Sequence, residues 1–167
     1  IEKKYTYKEY LQQKVKGEFI PLIDKKIFNE TMFSEERFCF ESFFWNKVIR
    51  VNSVYVSPKI CRIYHYDSGN QVSNKLIDPK FAKKRQSDYL EYIKQFKKDY
   101  NRYRLKHLLD KIYIKTIVYS LLCADKKTAR KIGSKCNVLI NIGTLTLSML
   151  PTPIVIKAYT ISMKNRG

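Results

Sequence analysis

The sequence predicts an α-rich α/β protein, and three observations predict it. Aromatic and aliphatic residues recur at intervals of three and four through much of the C-terminal half, the spacing of a helix face. Short β-branched and aromatic runs, parted by Ser57-Pro58-Lys59, sit in the N-terminal half and read as strands joined by a turn. The chain has 167 residues, enough to bury one real core but not comfortably two.

Taken in order, residues 1–17 read as a helix stopped at Gly17. Pro21 breaks any continuous element through EFIPLIDKKIF. Ser34 is a candidate N-cap, with Glu35 and Glu36 in the first turn, where the helix dipole favours negative charge. Phe40, Phe43, Phe44 and Lys47 continue at helical spacing. Two strands follow, VIRVNSVYV (48–56) and ICRIYHY (60–66), and then a polar loop over 67–74.

From about Asp78 the pattern becomes helical again. Tyr89, Tyr92, Phe96, Tyr100 and Tyr103 mark one face of a long helix, continued by Leu105, Leu108, Leu109 and Ile112, with a second helix expected over IYIKTIVYSLLCA. Such a one-face stripe is a packing face, with the lysines and arginines between its members on the solvated side. Cys136 to Ile156 is a run of 21 residues without a charge, broken by Pro151-Thr152-Pro153. Its length approaches a membrane span, but its prolines and polar residues favour a helix–break–helix lying at the headgroup level. A buried helix pair closing the core is the bland alternative. The organisation expected is therefore 1–77 followed by a basic helical region over 78–167 with an apolar, membrane-apposed tail.

Charge narrows the partners. Lys and Arg number 33 against 15 Asp and Glu, a net charge of +18. This balance suits polyanions: nucleic acid, anionic lipid or phosphorylated substrates. Residues 81–135 alone carry 16 basic against 5 acidic residues. No helix-turn-helix, finger or RNA-binding signature accompanies the charge, which makes nucleic acid the weaker choice. The four cysteines, Cys39, Cys61, Cys123 and Cys136, form no C-x-x-C pair, and the two histidines give no zinc spacing; reduced, mostly buried thiols are expected, as in cytosol. The sequence starts at Ile1 without Met or a leader, which reads as a cut in a longer protein.

One ordered set carries chemistry. Phe28-Asn29-Glu30 leads into the acidic pair Glu35-Glu36 at a helix start; a strand, a turn and a second strand ending in Tyr64-His65-Tyr66 come next; a loop with Ser68, Gly69, Asn70 and Ser73 closes it. This order resembles the C-terminal, acceptor-side part of family 2 glycosyltransferases, and the likeness spans residues 17–75. It implies a partial GT-A fold: helices, a small β-hairpin or sheet, then a basic helical region with an apolar tail. It implies inverting sugar transfer from a nucleotide-sugar to a glycan or lipid-linked acceptor, at the inner face of the cell membrane.

The resemblance also assigns roles. The second acid of the pair, Glu36, is the general base that takes the acceptor proton, with Glu35 orienting beside it. His65, Tyr66, Ser68, Asn70 and Ser73 line the donor or acceptor site. The family has Asp where Glu36 stands; Glu is one methylene, about 1.5 Å, longer, which puts the choice between Glu35 and Glu36 in doubt. From the residues alone, both glutamates also read as solvent-facing, dipole-complementing residues, and His65 as a structural hydrogen-bonder with metal ligation the minor alternative. A complete enzyme of this kind uses Mn²⁺ or Mg²⁺ at an Asp-x-Asp motif. That motif and the strand–Gly-rich-turn–helix unit of a nucleotide site are missing from these 167 residues, so this polypeptide is expected to be inactive alone.

Overall fold

The computed structural model describes residues 3–15, 22–30, 41–57 and 79–164. It is helix-rich with a small two-stranded antiparallel sheet, and divides into two compact units, Ile1–Ser68 and Gly69–Gly167.

In the first unit, Lys3–Tyr5 forms β1 and Tyr7–Leu11 forms α1. Thr6 starts α1 with a capping box: its hydroxyl accepts from Glu9 N–H at 3.3 Å, and the Glu9 carboxylate accepts from Thr6 N–H at 3.0 Å. The Thr6 N–H, with the Thr6 hydroxyl 2.9 Å from the same oxygen, holds the Glu9 carboxyl below its usual range. The expected helix over 1–17 is thus reduced to five residues between a strand and a turn. α2 follows at Lys25–Glu30, α3 at Glu41–Val51 and β2 at Val54–Val56. The expected strand over 48–56 is corrected as well: Val48, Ile49, Arg50 and Val51 are helical. Val48 and Ile49 bury with Phe44 on one face of α3, and that burial outweighs their β preference. Among the described residues β2 pairs with β1, Lys3 opposite Val56 and Tyr5 opposite Val54. The expected partner strand at 60–66 lies outside the described residues.

The second unit is built on a helical hairpin. α4 runs from Pro79 to Arg102 and α5 from Lys106 to Leu122. Gln86 bonds Ser120, and Tyr89 stacks on Tyr119 at 5.7 Å between ring centroids, so the two helices run antiparallel. The aromatic stripe is a packing face, as its spacing requires: Tyr89, Tyr92, Phe96 and Tyr100 are buried, Phe96 completely. The Tyr92 and Tyr100 hydroxyls satisfy each other at 2.9 Å. Burial pushes the Tyr89 phenol up to about 12. α5 is the central element and touches α4, α6 (Lys126–Gly133), α7 (Val138–Met149) and α8 (Thr152–Lys164). Thr116 and Ser120 are fully buried in it; their hydroxyls donate to Ile112 and Thr116 carbonyls at 2.8 Å, which leaves no polar hydrogen unmet.

Three helix ends share one device. After α1, α4 and α5 the chain enters the left-handed region at Gln13, Arg104 and Ala124, with φ of 57, 58 and 63°. Each end has the paired bonds of a Schellman motif, such as Asp125 N–H to Ser120 O at 2.8 Å and Ala124 N–H to Leu121 O at 3.2 Å. None of the three residues is glycine, so each carries a Cβ penalty of about 1–2 kcal/mol. We expect Ala124→Gly to stabilise the fold by up to about 1 kcal/mol, after the entropy glycine adds to the unfolded chain. Urea unfolding of the two proteins measures this; a loss of stability would contradict it.

Candidate functional site

The residues assigned to chemistry, Glu35, Glu36, His65, Tyr66, Ser68, Asn70 and Ser73, all lie outside the described residues. The first two fall between α2 and α3, the rest between β2 and α4. What is described is the frame beside them. α3 carries one buried polar side chain that sequence reading does not single out, Asn46. Its Nδ2 donates to Ser42 O at 2.6 Å, while its Oδ1 is buried with no hydrogen-bond partner among the described residues. Asn-spacing alone gives no warning of it, because only tertiary packing decides which side of α3 is covered. Among the described residues no group of three or more His, Cys, Asp or Glu side chains is placed to hold a metal ion. Cys123 and Cys136 are free thiols, half-buried rather than buried.

The second unit presents a surface of a different kind, assembled stepwise from α5 to α8. Asp125 caps α6: its Oδ1 accepts from Thr128 N–H at 3.0 Å and its Oδ2 from the buried Gln86 amide at 2.8 Å. The Thr128 N–H, aided by Gln86 and by Lys83 3.9 Å away, holds the Asp125 carboxyl below its ordinary value. Gln86 also donates to Ser120 at 3.0 Å, and its carbonyl accepts from the Cys123 thiol at 3.4 Å. One amide therefore ties α4, α5 and the start of α6 together.

α6 then seats α7. Gly133, the last residue of α6, lies so close to Thr144 that a Cβ there would sit 2.9 Å from the Thr144 Cβ and Cγ2. Arg130 Nε donates to Ser148 Oγ at 2.8 Å, and Lys126 Nζ to the Leu150 carbonyl at 2.8 Å, placing a cation where the α7 dipole is negative. Asn137 caps the other end, accepting from Ile140 N–H at 3.0 Å. The buried residues of α7 are accordingly Thr144 and Ser148, 3% and 1% exposed. Its exposed residues include all of the large apolar ones but Ile140: Val138, Leu139, Ile142, Leu145, Leu147 and Met149.

The expected helix–break–helix is present, with Pro151 between α7 and α8. No described helix is long and apolar enough to cross a membrane. Sequence reading located this segment but not the side on which its apolar residues fall. The chain matches no protein-family model, no curated protein and no solved structure.

Two outcomes follow from this geometry. Gly133→Ala, which in an open helix would gain helicity, destabilises here by about 1–3 kcal/mol through overpacking on Thr144; adding Thr144→Gly returns part of the loss. Equal or higher stability of the single variant in denaturant titration would contradict the close contact. Asp125 has a folded-state pKa below its ordinary 3.8, so its ionised form stabilises the fold above that value and the contribution fades as pH falls through the depressed one. The stability gap between wild type and Asp125→Asn should therefore be widest near neutrality and narrow as the pH falls below 3.8; a constant gap would count against the cap.

Proposed function

We propose that this chain is the acceptor-side part of an inverting family 2 glycosyltransferase that moves a sugar from a nucleotide-sugar to a glycan or lipid-linked acceptor at the inner face of a membrane. The observation that carries the reading is the ordered set Phe28-Asn29-Glu30, Glu35-Glu36, Tyr64-His65-Tyr66 and the loop from Ser68 to Ser73. The succession of α3 and then β2 after the acidic pair supports it, since the likeness requires helix and then strand in that order.

In this reading the Glu36 carboxylate takes the proton of the acceptor hydroxyl as its oxygen attacks the anomeric carbon. The bond from that carbon to the donor's diphosphate oxygen breaks, its electron pair leaves with the nucleoside diphosphate, and the anomeric configuration inverts. Glu35 orients the acceptor, and His65, Tyr66, Ser68, Asn70 and Ser73 contact donor or acceptor. The basic charge of the chain favours the phosphorylated donor and an anionic membrane surface. A non-catalytic peripheral membrane module is the second reading, favoured by the outward apolar face of α7.

In active enzyme carrying this sequence, Glu36→Gln should lower sugar transfer by about 10²–10⁴-fold while donor binding, followed by calorimetry, stays intact. Transfer at the wild-type rate in that variant would remove Glu36 from the role. Transfer lost in Glu35→Gln alone would move the base to its neighbour.

A further inference from the structure

We propose that α7, with the exposed face of α8, docks into the surface of an anionic bilayer, lying along the boundary between headgroups and acyl chains. This goes beyond sugar transfer and stands whether or not the chain transfers sugar.

The polarity of α7 is inverted with respect to its own fold. Val138, Ile142, Leu145 and Met149 recur at intervals of four, three and four and form one stripe, flanked by Leu139. Val138, Leu139 and Met149 are 72, 81 and 75% exposed, while Thr144 and Ser148 face the protein. A helix in water places these classes the other way round; small residues inward and large apolar residues outward is the arrangement of a helix whose outer medium is lipid.

Hydrogen bonding fits the same medium. All three hydroxyls of α7 are satisfied within its own helix: Thr144 donates to Ile140 O at 2.7 Å, Thr146 to Ile142 O at 3.1 Å and Ser148 to Leu145 O at 2.7 Å. Thr146 is exposed on the outer side, yet it offers no unmet donor to resist leaving water. Length selects the mode of docking. Twelve residues make a helix of about 18 Å, too short for a hydrocarbon core of about 30 Å, so α7 lies in the interface rather than across it.

Charge selects the occupant. From Lys126 to Gly167 the sequence has eight Lys and Arg and no Asp or Glu. Lys135 sits three residues before α7. On α8, Lys157 shares a face with Ile154 and Ile161, all three exposed. A second copy of this surface would bring cations against cations with no acid to pair them. Anionic headgroups around an apolar helix complement both properties at once.

The test is flotation of the full chain with vesicles of phosphatidylcholine and phosphatidylglycerol, against pure phosphatidylcholine. Binding should need the anionic lipid and weaken with salt. Leu139→Gln combined with Ile142→Gln should cut the partition coefficient at least about tenfold, with helical circular dichroism unchanged, since both side chains are exposed and support no core. Lys135→Gln with Lys157→Gln should reduce the preference for anionic vesicles. Absence of wild-type binding to anionic vesicles would overturn the proposal. So would equal binding by the Leu139/Ile142 variant, or a wild-type dimer in sedimentation that this variant splits while vesicles bind neither protein; that last result would assign the face to self-association. None of these outcomes depends on sugar turnover.

Discussion

The second unit depends on one constraint: the broad apolar face of α5 must be covered along its length. Leu108, Leu109, Tyr113, Ile117, Leu121 and Leu122 are buried, while Lys111, Ile114 and Lys115 are exposed on the opposite side. A helix with so broad an apolar face is stable in water only when other elements pack on it. α4 packs on it with the Tyr89–Tyr100 stripe, and α6, α7 and α8 pack on it as well. Thr116 and Ser120 allow close approach because they are small and bond their hydroxyls to their own helix. The buried Gln86 then fixes register at the one place where α4, α5 and the start of α6 meet, and an unpaired amide there would carry a desolvation cost that a slipped register could not meet.

Once the apolar face of α5 is covered, the position of α7 is determined by small residues and polar contacts. Gly133 admits Thr144, and Arg130 and Lys126 bind Ser148 and the Leu150 carbonyl. The large side chains of α7 are released from the fold as a result. An exposed apolar surface of this size normally carries a purpose, and nothing in the bundle's own stability calls for it.

Much of the second unit was legible in the sequence because its elements are long and strongly periodic. The intervals of three and four from Tyr89 defined a face, and the face is buried as far as Tyr100, while Tyr103 falls half-buried in the turn after α4. Pro151 marked the break between α7 and α8. Boundaries without glycine or proline were not legible. α5 starts at Lys106, six residues before the expected Ile112, since the turn before it uses Arg104 in a left-handed conformation that residue type does not announce. α1 ends at Leu11, well before Gly17, for the same reason at Gln13. The strand expected from Val48 failed because Val48 and Ile49 are β-branched residues held in a helix by burial, an effect of tertiary packing. As for the candidate site, composition located the apolar tail, but which residues of α7 face outward depends on Gly133, a residue in another helix. The chemistry assigned to Glu35, Glu36 and His65 rests on motif order, outside the described residues.

The proposed catalysis and the proposed lipid docking rest on separate evidence, motif order for the one and the outward face of α7 for the other, and this separation is useful. A lipid-linked acceptor is confined to a surface, so an enzyme that shares the surface searches two dimensions rather than three. A cationic surface also raises the local density of anionic substrate. If both proposals hold, α7 would contribute to turnover through the concentration of acceptor and not through the reacting atoms. Loss of the α7 face would then raise the apparent KM for a lipid-linked acceptor and leave turnover of a water-soluble acceptor fragment alone, whereas loss of Glu36 would suppress both. The two readings thus have different kinetic signatures, because a base acts on the transition state and a docking helix acts on encounter.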